Sequence, residues 1–157
     1  MQNPFGSKTV LASKSSTGER GLHDSWCPDI SADGRFVVFV SAAGNLAPDD
    51  TNFSDDLFLR DQLNRTTTRI NVTSDGQQSS DGVGLRRCPS VSGHGRYVVY
   101  VSRATDLDPA DSDTRPDVYL YDRVLQTTRV VTATRGPVRR SGGTRRGSLP
   151  TVITSSL

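Results

Sequence analysis

Two apolar runs, Phe36-Val37-Val38-Phe39-Val40 and Tyr97-Val98-Val99-Tyr100-Val101, have no polar position on either side of a two-residue alternation. Successive side chains of an extended strand point to opposite faces, so strands like these must be covered on both sides. A charge placed at Val38 or at Val99 is therefore expected to be buried. Residues 57–60 read as a further apolar strand, and residues 67–72 alternate polar and apolar, as an outer strand should. Ahead of the first run, residues 29–32 form a short strand. Asp33-Gly34 closes it onto the run as the favoured two-residue hairpin turn, whose central positions both need positive φ. His94-Gly95 takes that place before the second run, and His tolerates positive φ better than most residues.

The whole pattern recurs. Cys27-Pro28-Asp29-Ile30-Ser31 through Phe36-Val37-Val38 returns 61 residues later as Cys88-Pro89-Ser90-Val91-Ser92 through Tyr97-Val98-Val99. Residues 28–67 and 89–128 align without a gap at 17 identities in 40 positions, too many for chance. Leu149-Pro150-Thr151-Val152 repeats the start a third time, and residues 9–13 resemble 69–73, the end of a repeat. The organisation expected is a partial repeat and linker over 1–26, a first unit over 27–87, a second over 88–148 and the start of a third over 149–157. Small sheets packed on both faces and repeated in tandem follow the logic of propeller blades. The fold expected is all-β, with antiparallel four-stranded blades of propeller type, two per chain.

Composition agrees. The chain has 16 Asp against one Glu and 17 Arg against two Lys. Asp favours turns, whereas Glu and Lys favour helix interiors, so helix is not expected. No apolar run approaches the ~18 residues needed to cross a membrane. Residues 1–8 lack the basic and apolar blocks of a signal peptide.

Pro28-x-Ile30-Ser31-Ala32-Asp33-Gly34-Arg35-Phe36-Val37-x-Phe39, followed by Asp50-Thr51-Asn52 and Asp56-Leu57-Phe58-Leu59-Arg60-Asp61, resembles the TolB-type, WD40-like β-propeller repeat of bacteria. The resemblance covers the two units and the partial repeats at either end. It implies propeller blades, protein or ligand binding as the usual role, and a periplasmic or extracellular setting. Propellers close with about four to eight blades, and this chain has two; the pattern also fades after Val131.

The acidic loops Asp50-x-Asn52-x-x-x-Asp56 and Asp111-x-Asp113-x-x-x-Asp117 space oxygen ligands closely enough for calcium, although they lack the glycine and final Glu of an EF-hand. The plainer reading is loop chemistry, with side chains satisfying backbone amides and the last Asp fixing the start of a strand. Cys27 and Cys88 occupy equivalent positions, which neighbouring blades usually hold farther apart than the ~7 Å a disulfide tolerates, so partly buried thiols are expected. Zinc through Cys and His23 lacks a matched second pair of ligands. Trp26 is expected to pack near the start of the first unit.

Catalysis finds little footing. The chain has no Gly-x-Ser-x-Gly elbow and no Gly-rich phosphate loop, and the neighbouring carboxylates Asp55 and Asp56 lie in a loop with a structural account. Arg135, Arg139, Arg140, Arg145 and Arg146 form an acid-free basic patch. It holds no aromatic residue for base stacking, so a solvated connecting loop is preferred over nucleic-acid binding. Two isolated blades leave broad apolar faces and strand edges open. The leading expectation is thus a non-catalytic binding or scaffold module completed by self-association, with three chains favoured over two. The alternatives are a calcium-stabilised structural module and a fragment of a larger exported propeller.

Overall fold

The computed structural model describes residues 9–83 and 87–132. Eight strands make two antiparallel sheets. The first holds β1 (Ser25–Ile30), β2 (Phe36–Ser41), β3 (Asp56–Asp61) and β4 (Thr66–Arg69) in that order. The second holds β5 (Ser90–Val91), β6 (Tyr97–Ser102), β7 (Asp117–Asp122) and β8 (Thr127–Val130). No helix occurs among the described residues, and none is long and apolar enough to cross a membrane. The all-β reading and the four-strand unit are therefore correct. The second strand matches its expected bounds, whereas β1 starts earlier and β4 ends sooner than the pattern suggested. The third repeat start, residues 149–157, lies outside the described residues.

Each sheet has two unlike faces. In the first sheet, Val37, Phe39 and Phe58 share one face (face A) with Ala43 and Leu46 of the loop that follows β2. Phe36, Val38, Val40, Leu57 and Leu59 share the other (face B). Sixty-one residues on, face A of the second sheet is Val98, Tyr100, Ala104, Leu107 and Tyr119. The main core is formed where face B of the first sheet stacks on face A of the second. Most of these side chains are 0–5 % exposed. Each fully buried Val, Leu or Phe contributes about 1.5–3 kcal/mol, so this interface is the chief source of stability.

Polar clamps repeat with the faces. Arg35 grips Asp61 through Nε and Nη2 at 2.7–3.1 Å, and Arg96 grips Asp122 likewise at 2.9–3.2 Å. Each carboxylate also accepts backbone N–H bonds from its turn, at Leu63 and Asn64 or at Val124 and Leu125. Burial works to raise the Asp61 carboxyl, but its Arg35 and backbone donors prevail and hold it below the ordinary 3.8. The Arg96 donor likewise lowers Asp122.

Three expectations are corrected. The hairpin turn between β1 and β2 has positive φ at Gly34 alone, 72°, and the second turn at Gly95 alone, 66°. Gly34 N donates to Ser31 O and Ser31 N to Phe36 O, so the loop is longer than two residues and requires positive φ of neither Asp33 nor His94. Both faces of β2 are buried, but β6 is buried on one: Tyr97 and Val99 are 38 % and 41 % exposed. A charge at Val99 would therefore meet solvent. The apolar pattern specifies that a face wants cover without specifying that this chain supplies it.

The third correction concerns the cysteines, which are not thiols. Cys27 and Cys88 form a disulfide with their Cα atoms 4.9 Å apart. The innermost strands β1 and β5 converge, and Asp29 accepts from Ser90 Oγ and Val91 N across the gap. A bulge between Trp26 and Asp29 puts Cys27 at φ 52° and turns it toward the second unit. Trp26 packs against the main core beside it, as expected.

Two outcomes follow. Cross-linking residues 61 apart removes chain entropy worth about 4 kcal/mol in the unfolded state, as an upper figure. Reduction, or Cys27→Ser with Cys88→Ser, should lower the urea midpoint by roughly 2–4 kcal/mol of stability; identical unfolding curves with and without reductant would show that the staple contributes nothing. For pH, the depressed Asp61 and Asp122 contribute stability that is present above the ordinary 3.8 and is lost as pH falls through their folded values. Denaturant midpoints measured from about pH 5 to pH 2 should therefore fall, and Arg96→Met should flatten the decline. An unchanged slope in that variant would remove the clamp from the account.

Candidate functional site

The loop before β3 brings Asp50 and Asp56 together. Gln78 Nε2 donates to Asp50 at 3.1 Å and to Asp56 at 3.4 Å. Arg69, on the inward side of β4, places Nη1 3.8 Å from Asp50 and 3.5 Å from Asp56. Asn71 Nδ2 donates to Asp56 at 2.6 Å, while Asn71 Oδ1 accepts from Leu57 N. Burial raises the Asp56 carboxyl, and the charge of Asp50 adds to the rise against the Asn71 donor and Arg69. Asn52 turns away, donating to Ser79 O and accepting from Ser54 N. This loop carries its own cation in a buried guanidinium.

The second loop has the same backbone plan with different charges. Asp111, Asp113 and Asp117 each place a carboxylate oxygen within 4.8 Å of the others. Asp113 stands where the first loop has Asn52, and Val130 stands where it has Arg69. Tyr119 Oη donates to Asp111 and lies 2.8 Å from Ala104 O, and Thr132 Oγ1 donates to Asp117. Among the described residues, none of the three carboxylates is in an ion pair. The sequence spacing found both loops; the contrast between Arg69 and Val130 was readable from the repeat alignment and was missed. The basic patch at Arg135, Arg139, Arg140, Arg145 and Arg146 lies outside the described residues.

The other distinctive surface is face B of the second sheet. Tyr97, Val99 and Val131 are 38 %, 41 % and 59 % exposed, while their counterparts Phe36, Val38 and Ile70 are 0–2 % exposed between the sheets. Val101, Val118 and Leu120, beside them, are half-buried.

No family model and no curated protein matches this chain. Among solved structures it is similar to the TolB of Acinetobacter baumannii. That likeness covers 74 % of this chain and 23 % of the other, at 18 % identity and a TM-score of 0.44. The chain thus spans under a quarter of that protein. A likeness of this degree carries no argument about function, which has to come from the chain's own surfaces.

Connectors between units complete the geometry. Residues 9–24 and 70–83 each make a short turn with a bridge, Lys14 to Arg20 and Val72 to Gln78, around a positive-φ glycine, Gly18 or Gly76. Thr67 Oγ1 donates to Lys14 O, and Thr128 Oγ1 to Val72 O, so both turns seat on the outer strand of the following sheet in the same way. Arg60, 2 % exposed, secures the first by donating to Ser15 O.

Proposed function

We propose that the chain is a non-catalytic, propeller-like binding or scaffold module, completed by self-association through the open face of its second sheet. The observation that carries this reading is the exposure of Tyr97, Val99 and Val131 at positions whose counterparts form the core between the sheets. Contiguous exposed apolar surface marks interaction sites. The repeated carboxylates support a non-catalytic role, because backbone amides, Asn71, Gln78 and Thr132 already engage them. The Cys27–Cys88 disulfide supports a periplasmic or extracellular setting, since such bonds persist in oxidising compartments.

Light scattering coupled to size exclusion tests the assembly. The expected mass is a multiple of 17.0 kDa, with three chains favoured because six blades fall in the range that closes. Val99→Asp should yield a monomer that stays folded and melts cooperatively, because in the single chain that side chain already meets solvent. A wild-type mass of 17.0 kDa would end the self-association reading.

A second reading concerns calcium, favoured by the three convened carboxylates of a loop in which Val130 has replaced the arginine of its twin. Hard cations take oxygen ligands of this kind. Millimolar calcium should raise the melting temperature of the wild-type chain and leave Asp113→Asn with Asp117→Asn unmoved. No calcium-dependent shift in the wild type would dismiss it.

A further inference from the structure

We propose that a second copy of this chain docks head to tail, with face B of one copy's second sheet seated on face A of the next copy's first sheet. This names the surfaces of the self-association reading above and rests on it. The template is the interface inside the chain, where face B of the first sheet packs on face A of the second. At the open end the same kinds of side chain return in the same register: Tyr97, Val99, Val101, Val118 and Leu120 stand for Phe36, Val38, Val40, Leu57 and Leu59. Their complement inside the chain is Val98, Tyr100, Ala104, Leu107 and Tyr119, and its counterpart is Val37, Phe39, Ala43, Leu46 and Phe58.

Details of the contact surface carry over. Gly95 lies so close to Phe36 that a Cβ on it would stand 2.0 Å from the ring. The residue that would meet Tyr97 across the new seam is Gly34, a glycine with the same positive φ. Ala32 N donates to Gly93 O inside the chain; across the seam Gly93 N would meet Ala32 O. The connector is no obstacle, because residues 72–78 seat on Thr128 while face A of that same sheet is covered by its neighbour.

Two features set the character of the seam. Face A of the first sheet is buried in the single chain, with Ala12 and Ala47 packed against it and a cavity of about 170 Å³ beside Ala12, Trp26, Val37 and Phe39. Docking is therefore an exchange of cover, which makes association slower than for a preformed surface. The seam also lacks the disulfide and the stacking of Arg123 over Phe36, since Gln62 stands at the counterpart of Arg123. It is weaker than the internal interface. Such a heterologous contact closes into a ring when its rotation allows and otherwise grows into a filament.

Inside the chain, a Cβ on Gly93 would lie 3.6 Å from the Ala32 Cβ, within the range a disulfide needs. The seam repeats this pair between copies, as Gly93 of one and Ala32 of the next. Two full-length variants, Ala32→Cys and Gly93→Cys, carry tags of different mass and are mixed under mild oxidation after each has shown a parental melting curve. The expected product is a disulfide-linked heterodimer joining position 32 of one variant to position 93 of the other, identified by peptide mass mapping. It should fall at least tenfold when both partners also carry Val99→Asp. If the chains associate by mass but cross-link only 93 to 93, or not at all, self-association stands and the head-to-tail arrangement is refuted. If the wild-type chain is a monomer at every concentration, both fail together.

Discussion

A strand that is apolar on both faces obliges its sheet to have two neighbours, and everything else in this molecule answers to that constraint. The first sheet meets it within the chain: face B rests on the second sheet, and the cluster on face A closes with help from Ala43, Leu46 and Ala12. The second sheet meets it once. Face A takes the first sheet, while face B leaves Tyr97 and Val99 partly in water. The asymmetry cannot be a difference in sequence pattern, because β2 and β6 are nearly the same strand. It lies in which faces the described residues cover.

For such stacking to repeat, each sheet must present its faces at the same height and angle, and the polar residues do this. The Arg35–Asp61 and Arg96–Asp122 clamps tie the start of the second strand to the end of the third. The same carboxylates then organise the turn to the fourth strand, where Arg65 and Gln126 both take positive φ, 60° and 54°. Ser31 and Ser92 use hydroxyl oxygens to accept from the backbone N–H of Phe36 and Tyr97, fixing the hairpin. Each of these bonds contributes little alone, about 1 kcal/mol. Together they hold one register in both sheets, so that the apolar faces match.

Much of this was legible in the residues. The unbroken run Phe36–Ser41 and its echo 61 residues on disclosed the strand, the repeat and the need for cover on both faces. What the pattern could not supply was tertiary. The disulfide depends on inner strands converging at a bulge, and neither Cys27 nor Cys88 signals a bulge in its neighbours. Likewise, the Asp33-Gly34 pair is a hairpin signal whichever turn it makes, and the Ser31 hydroxyl helped to select the longer loop. Val99 illustrates the sharper limit: periodicity reports what a side chain requires, whereas exposure reports what the described residues provide.

The acidic loops show how a repeat diverges while its frame is kept. Both loops fix the first residue of the third strand through the last aspartate and a partner just beyond the fourth strand, Asn71 for Asp56 and Thr132 for Asp117. That service requires one carboxylate, not three. The surplus charge in the first loop is offset by Arg69, held among the acids and hidden from solvent. In the second loop the arginine has become Val130, packed against the main core, and a further Asp has entered at position 113. Losing a buried cation while gaining an anion raises the electrostatic cost of bringing these groups together. Tyr119, which replaces Phe58, gives back one donor to Asp111 but no charge. The imbalance sits in the loop leading into β7, in the sheet whose face B is also open, so the second unit carries both features that a bound species could resolve.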